Sequence, residues 1–278
     1  MKLSEIPSSL KYSLKMRLIP LGQLGADYET KIPVVVSLTS IPSRLRTLDI
    51  TIRSMMQQTY QPEKIVLWLK EDLKTKVPQR LQKLEGDLFE IRYSPYGFSH
   101  RKLIHSLEEF PDLPIITCDD DVIYDKDTVK QLYLSHLEQP EVVIGNRCRE
   151  ITYDDTEVLS YSKWPFLKNT AQHEQLVMPV GAFCVLYPVD SLHVEVQDVD
   201  LFMKLAPRAD DLWFKAMALK NGVLSVQNHR KITFPIPILG TQFIALKKEN
   251  KGLDKNRVQW NQIQEHYQWD KQQILDLI

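Results

Sequence analysis

Apolar, β-branched runs alternate with stretches of helical period along the first half of this 278-residue chain. Pro33-Val34-Val35-Val36-Ser37-Leu38 is apolar with hardly a break, the pattern of a strand buried on both faces. A polar turn from Thr39 to Arg44 follows, and then Leu48, Ile52, Met55 and Met56 recur on one face of a helix. Lys64 to Leu69 reads as a second strand. Leu88 to Tyr93 reads as a third, after a charged helix ending near Gly86. A helix over about Lys102 to Glu109 leads to Leu113-Pro114-Ile115-Ile116-Thr117-Cys118, a fourth strand.

This rhythm predicts an α/β fold with an open, mixed, mostly parallel sheet flanked by helices. In such sheets ligands bind beyond the carboxyl ends of the strands, where the strand order switches. Ser37 to Arg44, the segment after Tyr93 and the residues after Cys118 are therefore expected to meet in one crevice. Neither a Gly-x-Gly-x-x-Gly nor a Walker loop follows the first strand, which argues against a dinucleotide-fold oxidoreductase and a P-loop ATPase.

The second half is more mixed. Val142 to Gly145 and Met178 to Tyr187 read as strands, and Asp210 to Leu219 as a helix stopped by Asn221-Gly222. Val223 to Val226 and Ile232 to Ile238 read as short extended segments. The tail from about Asp254 is expected to be helical, with Trp260, Ile263, Tyr267 and Ile274 as its apolar contacts.

Composition narrows the function classes. Hydrophobic residues make up 43% and charged residues 26%, as in ordinary soluble domains, and the formal net charge of -1 gives no pull toward nucleic acid. Lys2, Lys11, Lys15 and Arg17 outnumber Glu5 in the first twenty residues, which marks either a membrane-facing edge or a solvated surface. Cys118, Cys148 and Cys184 are odd in number and widely spaced, without zinc-ligand pairing, and fit reduced thiols in a cytoplasm. Ser, Glu and Pro interrupt Met1 to Leu10, so no signal peptide is expected there. No apolar run reaches the roughly 18 residues of a membrane span. The expected location is cytoplasmic, free or peripheral at the inner face of the membrane.

Asp119-Asp120-Asp121, at the end of the fourth strand, carries the most chemistry. Three adjacent carboxylates repel one another, and where a buried strand leaves the core they make a hard oxygen site. Such a site suits Mg²⁺ or Mn²⁺, cations that keep waters and hold substrate phosphates. The alternative is an acidic turn. Asp210-Asp211 offers a carboxylate base, or an acidic first turn favoured by capping and the macrodipole, and the two are compatible. Lys102, with His100 and Arg101, is either a phosphate-facing cation or part of a surface charge run, and Arg44 invites the same comparison. His229 is a third-ligand candidate beside the ordinary alternative of a surface or core histidine. Gly181 would allow close approach of a sugar or mark a bulge. Trp164 and Trp213 would stack on a sugar or fill the core.

Val36 to Arg44, followed by Gln58-Thr59-Tyr60-Gln61-Pro62-Glu63-Lys64-Ile65-Val66-Leu67-Trp68, resembles the opening of bacterial nucleotide-sugar glycosyltransferases of the GT-A fold. These are related to the family 2 enzymes of capsule and lipopolysaccharide synthesis. The aspartate triplet resembles that fold's Asp-x-Asp motif, and Ala209-Asp210-Asp211-Leu212-Trp213-Phe214 its later acidic motif. The similarity spans roughly residues 32 to 245. Pro179 to Phe183 stands where a Gly-rich stretch is expected, and His100-Arg101 where small residues are, differences that bear on the sugar more than on the reaction.

The resemblance implies a single GT-A-like domain, with a nucleotide-sugar half over about 32–125, an acceptor-binding and catalytic half over about 126–245, and a helical tail over 246–278. It implies Asp119 and Asp121 as donor-site acids, with Asp121 the direct metal ligand; Asp120 joins the donor-binding candidates, and Asp119 and the separately read His229 are the further metal-ligand candidates. Ser37, Thr39 and Arg44 would line the nucleotide pocket and Lys102 would approach the donor. Asp211, or Asp210 beside it, would be the base. The implied partners are a nucleoside-diphosphate sugar, UDP-sugar first, and a glycan or lipid-linked glycan acceptor. Competing readings are a sugar-phosphate nucleotidyltransferase, a glycoside hydrolase with two carboxylates, and a divalent-cation or glycan-binding module.

Overall fold

The computed structural model describes residues 3–155, 157–168, 171–241 and 254–278. The chain forms two compact units, residues 1–134 with 230–245, and residues 135–229 with 246–278.

The first unit runs α1 (Ile6–Leu18), β1 (Thr30–Thr39), α2 (Leu48–Met56), β2 (Tyr60–Lys70), α3 (Gln79–Gln82), β3 (Phe89–Ser94), α4 (Arg101–Glu109), β4 (Ile115–Thr117), β5 (Val122–Ile123) and the start of α5 (Thr128–Glu138). All of its main-sheet pairings are parallel, in the order β4-β1-β2-β3. Val34, Val35, Val36 and Leu38 are fully buried, as expected for a strand covered on both faces. The chain moves outward from β1 through β2 to β3, then returns to the opposite side of β1 with β4, where Ser37 pairs with Thr117. The strand order therefore reverses between β1 and β4, and their carboxyl ends open on the switch point. The charged helix expected before Gly86 is instead a 3₁₀ turn, Glu71–Lys76, and the single-turn α3. Pro78 separates them, because proline lacks the N–H that would carry a helix through.

The second unit contains β6 (Val143–Gly145), β7 (Cys148–Glu150), β8 (Tyr153–Asp154), β9 (Glu157–Val158), β10 (Val177–Pro179), β11 (Val185–Tyr187), α6 (Val199–Leu205), α7 (Asp210–Lys220), β12 (Ser225–Gln227), α8 (Lys255–Tyr267) and α9 (Lys271–Leu275). Here β6 lies between β12, parallel to it, and β11, antiparallel to it. The result is the mixed, mostly parallel α/β sheet flanked by helices that the sequence predicts.

Three local expectations change. Met178 to Tyr187 is two strands, not one, because a 3₁₀ turn at Gly181–Phe183 and a left-handed Cys184 (φ 72°) interrupt the ladder. Within Ile232 to Ile238 only Ile236–Pro237 is strand, paired antiparallel with β5. The helical tail breaks at Gln268, whose φ is 55°, before α9 starts on an Asp270 capping box. Trp164 and Trp213 are both core residues, their indole N–H groups donating to the carbonyls of Leu159 and Val196.

Candidate active site

Three strand exits of the first unit supply interlocking charged groups. At the end of β1 the chain turns through Ser40 and Arg44; at the end of β4 it places the aspartate triplet. The Ser40 hydroxyl donates to Asp120 Oδ2 at 2.5 Å, and Arg44 Nη1 donates to Asp120 Oδ1 at 2.5 Å. Arg44 Nη2 also lies 3.0 Å from Asp121 Oδ2. One planar guanidinium thus spans two successive carboxylates, each taken by a different nitrogen of the fork, an arrangement that a lysine ammonium cannot reproduce with separate nitrogens. Both oxygens of Asp120 are engaged inside the protein. Burial pushes its carboxyl above the ordinary range, while Arg44 and Ser40 pull it back. Burial by itself would lower the Arg44 guanidinium, but Asp120 and Asp121 outweigh that and raise it.

The backbone of the triplet is held as firmly. Thr51 Oγ1, on α2, lies 3.1 Å from the Asp120 carbonyl and 2.8 Å from that of Val122. The Asp119 N–H donates to the Tyr124 hydroxyl at 2.9 Å, and the Asp121 carbonyl accepts from the Ile238 N–H at 2.9 Å. Asp119 has the most open side chain of the three, 35% exposed, and its Oδ1 lies 3.3 Å from Lys102 Nζ.

The third exit, after β3, carries His100, Arg101 and Lys102. The surface-run alternative fails here, since these residues are only 0%, 2% and 4% exposed. Arg101 donates from Nε to the Thr39 hydroxyl, from Nη1 to the Tyr96 carbonyl at 2.6 Å and from Nη2 to the Ser40 carbonyl at 2.6 Å. It ties the β1 and β3 exits together. Its burial lowers the guanidinium to about 10, against the pull of Asp120 and Asp72. The Lys102 carbonyl accepts from the Ser37 hydroxyl. Ser37 is itself fully buried, in a chain that runs from Trp68 Nε1 to Ser106 Oγ and on to Ser37 Oγ. Thr39 Oγ1 donates to the Trp68 carbonyl at 2.8 Å.

The structure therefore gathers Arg44, Lys102, Asp119, Asp120 and Asp121 at the switch point and sets Ser37 and Thr39 behind them as struts. Ser40, Thr51 and Arg101 are additional members of this set. Arg101 was visible in the sequence only as part of a basic run, and Ser40 only as a turn residue.

In the second unit, Asp210 and Asp211 open α7. Asp211 Oδ2 accepts the Gly181 N–H at 3.1 Å, at the first residue of the 3₁₀ turn that separates β10 from β11. His229, the third-ligand candidate, lies with Nε2 3.1 Å from Glu138 Oε2, both side chains about half exposed. Among the described residues no three His, Cys, Asp or Glu side chains form a metal-holding group. Among the same residues no helix is long and apolar enough to cross a membrane.

No protein-family model matches the sequence, and no curated protein matches it. Solved structures similar to the chain include residues 1–349 of S. aureus TarS, 14% identical over 74% of this chain and 59% of that one, with a TM-score of 0.46. Another is CMP:2-keto-3-deoxy-manno-octonic acid synthetase complexed with CTP, 11% identical over 82% of this chain and all of that one, with a TM-score of 0.47. A third is 4-diphosphocytidyl-2C-methyl-D-erythritol synthase of Anaerococcus prevotii, 12% identical over 76% of this chain and 93% of that one, with a TM-score of 0.43.

Proposed function

We propose that this protein is a metal-dependent glycosyltransferase that moves a sugar from a nucleoside-diphosphate donor to a hydroxyl of a glycan or lipid-linked glycan. The observation that carries the reading is the charged set at the carboxyl ends of β1 and β4, where Arg44 braces Asp120 and Asp121 and Lys102 meets Asp119. A diphosphate seated at that switch point has cations for its oxygens and carboxylates for a counter-ion.

The donor set fits a divalent ion of the kind that takes few protein ligands. Mg²⁺ commonly binds through one or two carboxylates and completes its shell with waters and substrate phosphates. Asp121 and Asp119 would hold it, whereas Asp120 has both oxygens committed to Ser40 and Arg44. When bound, such an ion neutralises the charge that develops on the leaving diphosphate.

The chain's own residues supply the rest. Asp120 serves as a positioning residue, fixing Arg44 and the β1 loop. Lys102 offers its ammonium to a donor phosphate in exchange for its Asp119 contact. Asp211 accepts the proton of the attacking acceptor hydroxyl, its carboxylate oriented by the Gly181 N–H. The hydroxyl oxygen bonds the anomeric carbon as the bond to the diphosphate oxygen breaks. His229, beside Glu138 on the surface, has no part in this reading.

A panel of nucleotide sugars incubated with the protein and Mn²⁺ tests it, because slow donor hydrolysis needs no acceptor. Release of a nucleoside diphosphate that stops with a chelator is the expected result. Pyrophosphate release from a nucleoside triphosphate and a sugar phosphate would instead identify a nucleotidyltransferase.

A further inference from the structure

Helix α1 is turned inside out relative to a helix that meets water. Its contacts with the protein are largely polar: Ser9 is fully buried and its hydroxyl accepts the Leu239 N–H, and Arg17 pairs with Asp49 at 3.0 Å. Arg53 donates to the carbonyls of Met16 and Ile19 at the helix end, and Met16 alone joins the apolar cluster of Ile50, Ile123 and Ile238. The leucines point the other way. Leu10, Leu14 and Leu18 are 53%, 60% and 71% exposed, and Leu21, just beyond the helix, is 48% exposed. The spacing of four residues among Leu10, Leu14 and Leu18 stacks those three on one face. Leu14, Leu18, Ile19 and Pro20 line a shallow groove together with Lys11 and Lys15.

Single exposed leucines are ordinary on protein surfaces, but an aligned row of them on one anchored helix marks a surface made for contact. The charges beside it select the contact. Ile6 to Leu18 contains no acidic residue, and Lys11 and Lys15 flank the leucines with both side chains exposed. A leucine face bordered by lysines is complementary to an anionic bilayer, whose acyl region takes the leucines and whose headgroups take the ammonium groups.

We propose that α1 is a monotopic membrane-contact helix that seats the first unit on an anionic lipid surface through Leu10, Leu14, Leu18 and Leu21. The contact is independent of the reaction carried out at the aspartate triplet. The anchoring contacts of Ser9, Met16 and Arg17 fix the leucine row relative to the rest of that unit before it meets lipid, so no folding on binding is required.

Co-sedimentation with vesicles tests this directly. The full chain is spun with phosphatidylcholine vesicles containing phosphatidylglycerol and with phosphatidylcholine alone, alongside Leu14→Ser/Leu18→Ser and Lys11→Gln/Lys15→Gln variants. The wild type should pellet with the anionic vesicles, and the leucine variant should partition about tenfold less or weaker. The lysine variant should lose the preference for anionic over neutral lipid. All of these substitutions are at exposed positions, and unchanged thermal melts would confirm that folding is intact. Failure of the wild type to pellet with either vesicle, or equal pelleting by the leucine variant, would overturn the proposal. So would a wild-type dimer in solution that the leucine variant converts to monomer, since the row would then belong to a second copy of the chain.

Discussion

Arg44 and Asp120 form the central pair of the candidate site, a guanidinium and a carboxylate 2.5 Å apart with side chains only 17% and 5% exposed. Neither is stable alone in that setting. A buried ion pair contributes little net stability when complete, yet breaking it leaves a charge without water or partner. Arg44→Gln is therefore expected to lower stability by about 3–5 kcal/mol. Arg44→Lys should recover less than half of the loss, because a point charge does not span both Asp120 and Asp121. Urea denaturation of the three proteins checks this; a wild-type midpoint for Arg44→Gln would contradict it.

Arg101 joins three groups from two strand exits, the Thr39 hydroxyl and the carbonyls of Tyr96 and Ser40. Because Ser40 in turn holds Asp120, the effect of Arg101→Lys should reach the site. Nucleoside-diphosphate affinity should fall by about tenfold or more, from the loss of charge-assisted hydrogen bonds each worth about 1.5–3 kcal/mol. Equal affinities in a titration of both proteins would show that Arg101 braces the loops without bearing on binding.

The four main-sheet strands of the first unit, with α2 and α4, were legible because apolar runs such as Val34 to Leu38 have few other destinations than a covered sheet; α1 and α5 were not among the expected elements. The triplet was legible as a strand-end cluster because the strand before it delivers it to the carboxyl end of the sheet. The burial of His100-Arg101-Lys102 was not legible. A basic run looks the same in sequence whether it is solvated or folded inward, and only the contacts of Arg101 with two other loops decide. Asp120 illustrates the same limit: adjacent aspartates are indistinguishable in sequence until Ser40 and Arg44 claim one of them. The leucine face of α1 is not legible from the charge of the first twenty residues; the spacing of Leu10, Leu14 and Leu18 by four carries the signal.

Lys215 provides a pH test. It is buried within α7, 3.4 Å from the Ser225 hydroxyl, and burial lowers its ammonium from 10.5 to about 7. Between those values the unfolded chain holds a proton that the folded protein does not. Stability is therefore fully present above about 10.5, falls as pH drops through that window and levels off below 7. Lys215→Met should flatten this contribution and raise the melting temperature at neutral pH. Melting curves with the same pH slope for both proteins would contradict the assignment.

Asp211→Asn separates chemistry from donor binding. The amide can occupy the same place beside the Gly181 N–H but cannot take a proton. Turnover onto an acceptor should fall by about 10²–10⁴-fold with nucleotide affinity unchanged. Wild-type turnover would remove Asp211 from the mechanism.

The most direct test of the central claim is calorimetry with uridine, cytidine and guanosine diphosphates, with Mn²⁺ and with chelator, on the wild type and on Asp121→Asn. The account predicts that at least one nucleotide binds the wild type with Mn²⁺, that chelation abolishes or sharply weakens binding, and that Asp121→Asn behaves with Mn²⁺ as the wild type does without it. Nucleotide binding indifferent to Mn²⁺, or an Asp121→Asn protein with wild-type metal-dependent affinity, would contradict the reading of the triplet as a grip on a sugar nucleotide's diphosphate.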